Sequence, residues 1–148
     1  MSRYESRDVT FDVPRHWEDR TLVAFAAPAK PGQTTAPNMV MTRDTLGPEE
    51  TIQSYADKQL AELSKRLEGF ELDERKEQTY GGQPGVELRF TWQGSSGKLE
   101  QRLALVVGRR RSVCCFNATM AKADAEQMNP LFDRILSTVR FPKPGETT

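Results

Sequence analysis

Apolar and polar residues alternate at Val9, Phe11 and Val13, and the alternation stops at Pro14. That period of two predicts a short strand, followed by a polar connection from Arg15 to Arg20 that carries Trp17. Thr21 to Ala26 predicts a second strand. Pro28, Pro31, Gly32 and Pro37 then resist regular structure, and Met39 to Thr42 predicts a third strand. In these last two strands both parities are largely apolar: Leu22 and Ala24 against Val23 and Phe25, and Val40 against Met39 and Met41. A strand apolar on both sides needs cover on both faces of its sheet.

The period then lengthens. At about 100° per residue, Ile52, Ala56, Leu60, Leu63 and Leu67 share one arc while Asp57, Lys58, Lys65 and Glu68 face away, which predicts an amphipathic helix. Gly47-Pro48 marks its start with proline in the first turn, Glu49 and Glu50 suit the positive end, and Gly69 marks a left-handed end. Gln59 lies on the shoulder of the apolar arc.

Strand character returns at Glu71 to Tyr80, turns over Gly81 to Gly85, and resumes as Val86, Leu88, Phe90 and Trp92 alternating with Glu87, Arg89 and Thr91. Gly94 to Gly97 turns the chain into Lys98 to Val107, where Leu99, Gln101, Leu103 and Leu105 share one face. Gly108 and three arginines turn it again into Ser112 to Thr119. Ala121 to Thr138 predicts a second helix bent at Pro130, where Asn129 and Pro130 resemble a cap and first turn, with Leu131, Ile135 and Val139 on one face. The order is three strands, a helix, four strands and a helix. That order predicts the α+β class, with a curved antiparallel sheet of about seven strands. The length suits one domain over residues 1–141, with a disordered tail over 142–148. Two helices do not cover seven strands, so apolar surface is left for a partner.

Charge narrows the partner. Among 148 residues, 21 basic and 21 acidic side chains cancel, which removes the positive field that gathers nucleic acid or anionic lipid. The N-terminal residues contain no secretion signal or lipidation cysteine, and no run reaches membrane-spanning length. Cys114 and Cys115 are adjacent, so in a strand they point to opposite faces and do not bridge. Together these features predict a cytoplasmic protein.

Catalytic chemistry finds no convergent set. His16 is the only histidine, which leaves no usual metal site and no base for a serine triad, and there is no Gly-x-Ser-x-Gly elbow. The cysteines lie beside Val113 and Phe116 and read as packing. Gly108-Arg109-Arg110-Arg111 reads as a charged hairpin turn, and Gly81, Gly82 and Gly85 as turn residues rather than a phosphate cradle. No enzyme, cofactor or metal is expected. Gln59 and Gln101 admit two readings: amides that project to solvent from the rim of a buried face, or amides that hold an apolar partner still carrying hydrogen-bonding atoms.

The ordered set Phe11-x-Val13-Pro14-x-x-Trp17-x-Asp19, Arg43-Asp44, Tyr55-x-x-x-Gln59-Leu60, Gly69-Phe70, Gly82, Trp92 and Gln101 resembles the DcrB-like family, and within it the Eag chaperones of type VI secretion. The resemblance implies a PsbP-like fold, a homodimer without catalysis, and a cradle for the apolar N-terminal transmembrane helices of an effector, which it shields and helps load onto the secretion spike. Carried over by position, the cradle residues are Leu22, Ala24, Val40, Thr42, Gln59, Leu63, Leu67 and Gln101, with Leu99 as a further member. Ala24 is small and leaves room for a bulkier client. An apolar groove can replace lipid around such a helix, since burial contributes about 25 cal/mol per Å². The competing expectation is a non-catalytic module of the same fold for a small apolar ligand or another protein.

Overall fold

A computed structural model describes residues 1–33 and 35–142. Its strands are β1 (Ser2–Glu5), β2 (Thr10–Val13), β3 (Val23–Ala26), β4 (Asn38–Thr45), β5 (Glu71–Tyr80), β6 (Gln83–Gly94), β7 (Gly97–Val107) and β8 (Ser112–Ala121). The helices are α1 (Ile52–Arg66) and α2 (Ala125–Ser137). The class is α+β, as expected. β3 to β8 form one antiparallel six-stranded sheet in the order β3-β4-β8-β7-β6-β5.

The main sheet has six strands rather than seven because β2 pairs with β1 in a separate hairpin. Alternation did not announce β1: Ser2-Arg3-Tyr4-Glu5 has one aromatic among polar residues, and Tyr4 is held by stacking on Phe11 at 4.9 Å between ring centres. β4 runs past its apolar stretch through Arg43, Asp44 and Thr45, whose backbones pair with Cys114, Val113 and Ser112. The predicted tail lies outside the described residues from 143 onward.

The start of α1 differs from expectation. Thr51 is the N-cap of α1, accepting from the Ser54 N–H at 3.0 Å while the Ser54 hydroxyl accepts from the Thr51 N–H at 2.9 Å. This reciprocal cap satisfies two otherwise unpaired donors, which Pro48 in a first turn would not do. Pro48 and Glu49 instead form a turn ahead of the helix, and Glu50 accepts from the Gly47 N–H at 3.0 Å and pairs with Lys58 at 2.6 Å. Glu50, predicted with Glu49 to meet the helix dipole, therefore holds the entry turn. Gly69 is left-handed, with φ +65°, in the turn that follows the Leu67 cap.

α2 begins after a 3-10 turn over Lys122–Asp124, close to the expected start at Ala121, and Asn129 and Pro130 lie inside it rather than as a cap and first turn. The missing proline N–H costs one helical bond. Burial of Ala125 and Phe132 against Ala118 and Met120 outweighs it and sets the helix boundaries.

The two helices pack on opposite faces. Ile52, Ala56 and Leu63 of α1 cover Val86, Leu88, Phe90, Leu103 and Leu105. Leu136 of α2 covers Tyr80, Ala104 and Val106 on the other side. The core is thus two apolar layers with the sheet between them.

Candidate partner-binding face

Directly opposed residues of antiparallel strands share a face, so the register decides which predicted site residues meet. Ala24 opposes Val40, Val40 opposes Asn117, and Asn117 opposes Leu103, which lies under α1. One row along, Thr42 opposes Cys115 and Cys115 opposes Leu105. Gln101 opposes both Phe90 and Thr119, and Leu99 opposes Trp92. Ala24, Val40, Thr42, Leu99 and Gln101 therefore share the α1 face. Leu22, one residue before β3, continues the parity of Ala24.

α1 does not cover this whole face. Beyond it lies a strip of β3, β4 and β8 in which Leu22 is 60% exposed, Ala24 is exposed, and Val40, Thr42, Asn117 and Thr119 are half-buried. The strip holds no charged side chain from Leu22 and Ala24 across to Gln101. At its end Asp44 accepts a 2.7 Å hydrogen bond from the Tyr55 hydroxyl, which ties α1 to β4.

The helix residues divide. Tyr55, Gln59 and Leu63 follow one another at four-residue spacing, so Gln59 is half-buried on a ridge between two buried neighbours. It borders a cavity of about 410 Å³ with Asp44, Thr45, Tyr55 and Lys58. Leu63 is only 7% exposed and belongs to the core under α1. Leu67 is half-buried at the helix end, and Leu99 is half-buried beside Trp92.

Gln101 is committed within the chain. Only 9% exposed, its Oε1 accepts from the Trp92 indole N–H at 2.6 Å, and its Nε2 donates to Asn117 Oδ1 at 2.9 Å and Thr119 Oγ1 at 3.1 Å. This excludes the reading in which its amide projects to solvent. Trp92, Asn117 and Thr119 were missed as a group. Their signal was polar residues at the parity of Val113 and Cys115, in a strand whose neighbours on that face are apolar.

The remaining chemistry is structural. Burial pushes both the Cys114 and Cys115 thiols up, away from the thiolate a nucleophile needs. Arg111 donates to the Gly47 and Glu50 carbonyls and so clamps the turn before α1, a role the charged-turn reading did not contain. On the opposite face Arg102 bridges Glu87 at 2.7 Å and Asp133 at 2.6 Å, and Tyr80 donates to Glu87 at 3.1 Å. Among the described residues no group of three or more His, Cys, Asp or Glu is placed to hold a metal, and no helix is long and apolar enough to cross a membrane.

The DcrB family profile matches residues 8–138. The chain belongs to the DcrB family. It is 26% identical over 144 residues to Effector EagT6 of Pseudomonas aeruginosa PAO1, covering 97% of this chain and 98% of that protein. A solved Pseudomonas aeruginosa protein of unknown function, PA94, superposes with a TM-score of 0.81 at 26% identity, over 97% of this chain and 98% of that one. Cyanobacterial PsbP (CyanoP) from Synechocystis sp. PCC 6803 shares the fold at a TM-score of 0.55 and 15% identity, covering 93% and 89%. The fold is thus PsbP-like.

Several residues that carried the family resemblance turn out to be partners of one another. Asp19 pairs with Arg43 at 3.5 Å, Asp44 with Tyr55 at 2.7 Å, and Trp92 with Gln101 at 2.6 Å. The motif is dispersed in sequence because each pair joins different elements, Arg43 from the α2 side of β4 and the other two pairs on the α1 side.

Proposed function

We propose that this chain is a cytoplasmic chaperone and adaptor that shields the apolar N-terminal transmembrane helices of a type VI secretion effector and helps load it onto the secretion spike. One observation carries the reading: the α1 face continues past the helix as an uncharged, partly exposed strip of Leu22, Ala24, Val40, Thr42, Asn117 and Thr119. An apolar helix laid there loses water contact without burying a charge, as it would in a bilayer. Gln59 borders the Asp44 end of the strip, and on this reading the cradle continues past Gln101 to Leu99 and to Leu67 at the end of α1. Membership of the DcrB family and the full-length likeness to Effector EagT6 supply the biological direction.

A homodimer fits this reading. β3 is an edge strand whose Val23-Ala24-Phe25-Ala26 carries no charge, and edges of that kind invite pairing. A second copy there would lengthen the strip. A smaller apolar ligand has a candidate in a cavity of about 460 Å³ lined by Tyr4, Phe11, Val13 and Trp17 together with the charged Arg3, Glu18, Asp19 and Arg20.

The test is co-expression with an effector encoded beside this gene whose N-terminal region holds apolar stretches of about 20 residues. Ala24→Asp places a charge on the exposed strip without touching the core, and the folded variant should lose the client. Undiminished client recovery with this variant would reject the reading.

A further inference from the structure

A turn whose backbone needs left-handed residues ordinarily takes glycine or asparagine, because a larger side chain there crowds the backbone. The turn from β7 to β8 does the opposite. Arg110 and Arg111 have φ of +54° and +59°, and they are the only non-glycine residues with positive φ among the described residues. The glycine of this turn, Gly108, has φ −101° and is required for another reason, since a Cβ there would lie 2.6 Å from the Ser112 hydroxyl. Arginine is therefore kept at two positions where backbone preference opposes it. Arg111 has an internal explanation, because its guanidinium donates to the Gly47 and Glu50 carbonyls ahead of α1. Arg110 and its neighbour Arg109 have none: both are exposed, and among the described residues neither forms an ion pair. Solvation alone does not call for arginine at a left-handed position.

We propose that Arg109 and Arg110 form a docking knob for a protein segment that carries adjacent carboxylates. A guanidinium matches a carboxylate as a two-bond fork, and a cation with no internal partner gives up only water to make that bond. The knob is also held in shape before any partner arrives. The Leu46 N–H donates to the Arg111 carbonyl at 2.7 Å, the Gly108 N–H donates to the Ser112 carbonyl at 2.8 Å, and the Arg111 side chain ties the turn to the entry of α1. Presenting the two cations therefore costs little ordering of the backbone on binding. Nucleic acid or polyphosphate fits less well, because the chain has no net positive charge to gather a polyanion and Glu49 and Glu50 stand in the turn that Arg111 clamps. None of these arginines belongs to the strip, so the inference stands apart from the cradle reading.

The probe is tetraglutamate, capped at both ends and titrated into the isotope-labelled full chain, with tetraglutamine as its neutral twin. Amide shifts should move at Arg109 to Ser112 with tetraglutamate and stay still with tetraglutamine, and the affinity should fall at least about fivefold between about 20 and about 300 mM sodium chloride as the charges are screened. Arg109→Gln combined with Arg110→Gln should abolish the shifts and leave the urea unfolding midpoint unchanged. Arg110→Gly separates binding from folding: it should weaken tetraglutamate at least about threefold while holding or raising the midpoint, because glycine suits the left-handed backbone. An arginine kept only for structure would lower the midpoint and leave the affinity alone. That outcome, equal shifts with both peptides, or tetraglutamate binding that survives the double substitution overturns the proposal. Tighter binding of inorganic tripolyphosphate than of tetraglutamate overturns the assignment of a carboxylate partner.

Discussion

The two faces of the sheet use polar residues in opposite ways. On the α2 face the polar groups are charged and enclosed: Arg102 and Glu87 are each 2% exposed, and Asp133, Tyr80 and the Asn129 carbonyl complete their bonds. On the strip beside α1 the polar groups from Gln101 outward are neutral, with the Asp44 carboxylate only at the far end, and their chain of hydrogen bonds ends at half-buried Asn117 and Thr119. A charged cluster holds a helix in place and must be closed, because an unpaired buried charge is costly. A neutral amide series costs less to leave open, and an open end is available to a partner. The closed face should therefore govern stability and the open face binding.

The largest expected effect breaks the closed side. Arg102→Ala leaves Glu87 buried without its cation and should cost about 3–5 kcal/mol in urea unfolding. Next comes Leu63, which lies in the core under α1. Leu63→Ala should cost about 2–5 kcal/mol, and Leu63→Asp more, so loss of a client by either variant reports unfolding as well as binding.

A smaller effect follows pH. Burial raises the Glu100 carboxyl, but hydrogen bonds from Lys122 and Asn129 outweigh it and hold the carboxyl below its ordinary value of 4.5. A carboxylate depressed in the folded state stabilises above its unfolded pKa and loses that contribution as pH falls through the folded value. Glu100→Gln should therefore flatten the loss of stability on acidification below about pH 4.5, measured by unfolding midpoints across that range. The smallest effect is Gln59→Ala. This rim position should change stability by less than about 0.5 kcal/mol, so any larger consequence for client recovery belongs to binding.

The α1 face was more legible in sequence than the α2 face, for a physical reason. Its apolar residues repeat with the period of their element, so Ile52, Ala56 and Leu63 announce the helix, and Leu99, Leu103 and Leu105 announce a strand parity that includes Gln101. The α2 face is held by Arg102, Glu87 and Glu100, charged residues that sequence pattern assigns to solvent and only tertiary pairing buries. The partners of Gln101 were hidden similarly. Trp92, Asn117 and Thr119 lie on different strands, and only the register joins them. Leu63 shows the converse limit, since periodicity places a leucine on the right face without saying whether helix packing will close over it. The start of α1 differs because Pro48 carries a strong local signal, whereas the Thr51–Ser54 cap depends on where the helix docks.

Amide chemical shifts of the isotope-labelled chain, recorded with and without the apolar N-terminal segment of its effector, test the central claim most directly. Perturbation concentrated at Ala24, Val40, Thr42, Gln101, Asn117 and Thr119, with α2 and β5 unmoved, is the predicted result. Perturbation confined to α2 or to the β1–β2 hairpin, or none at all, would contradict it.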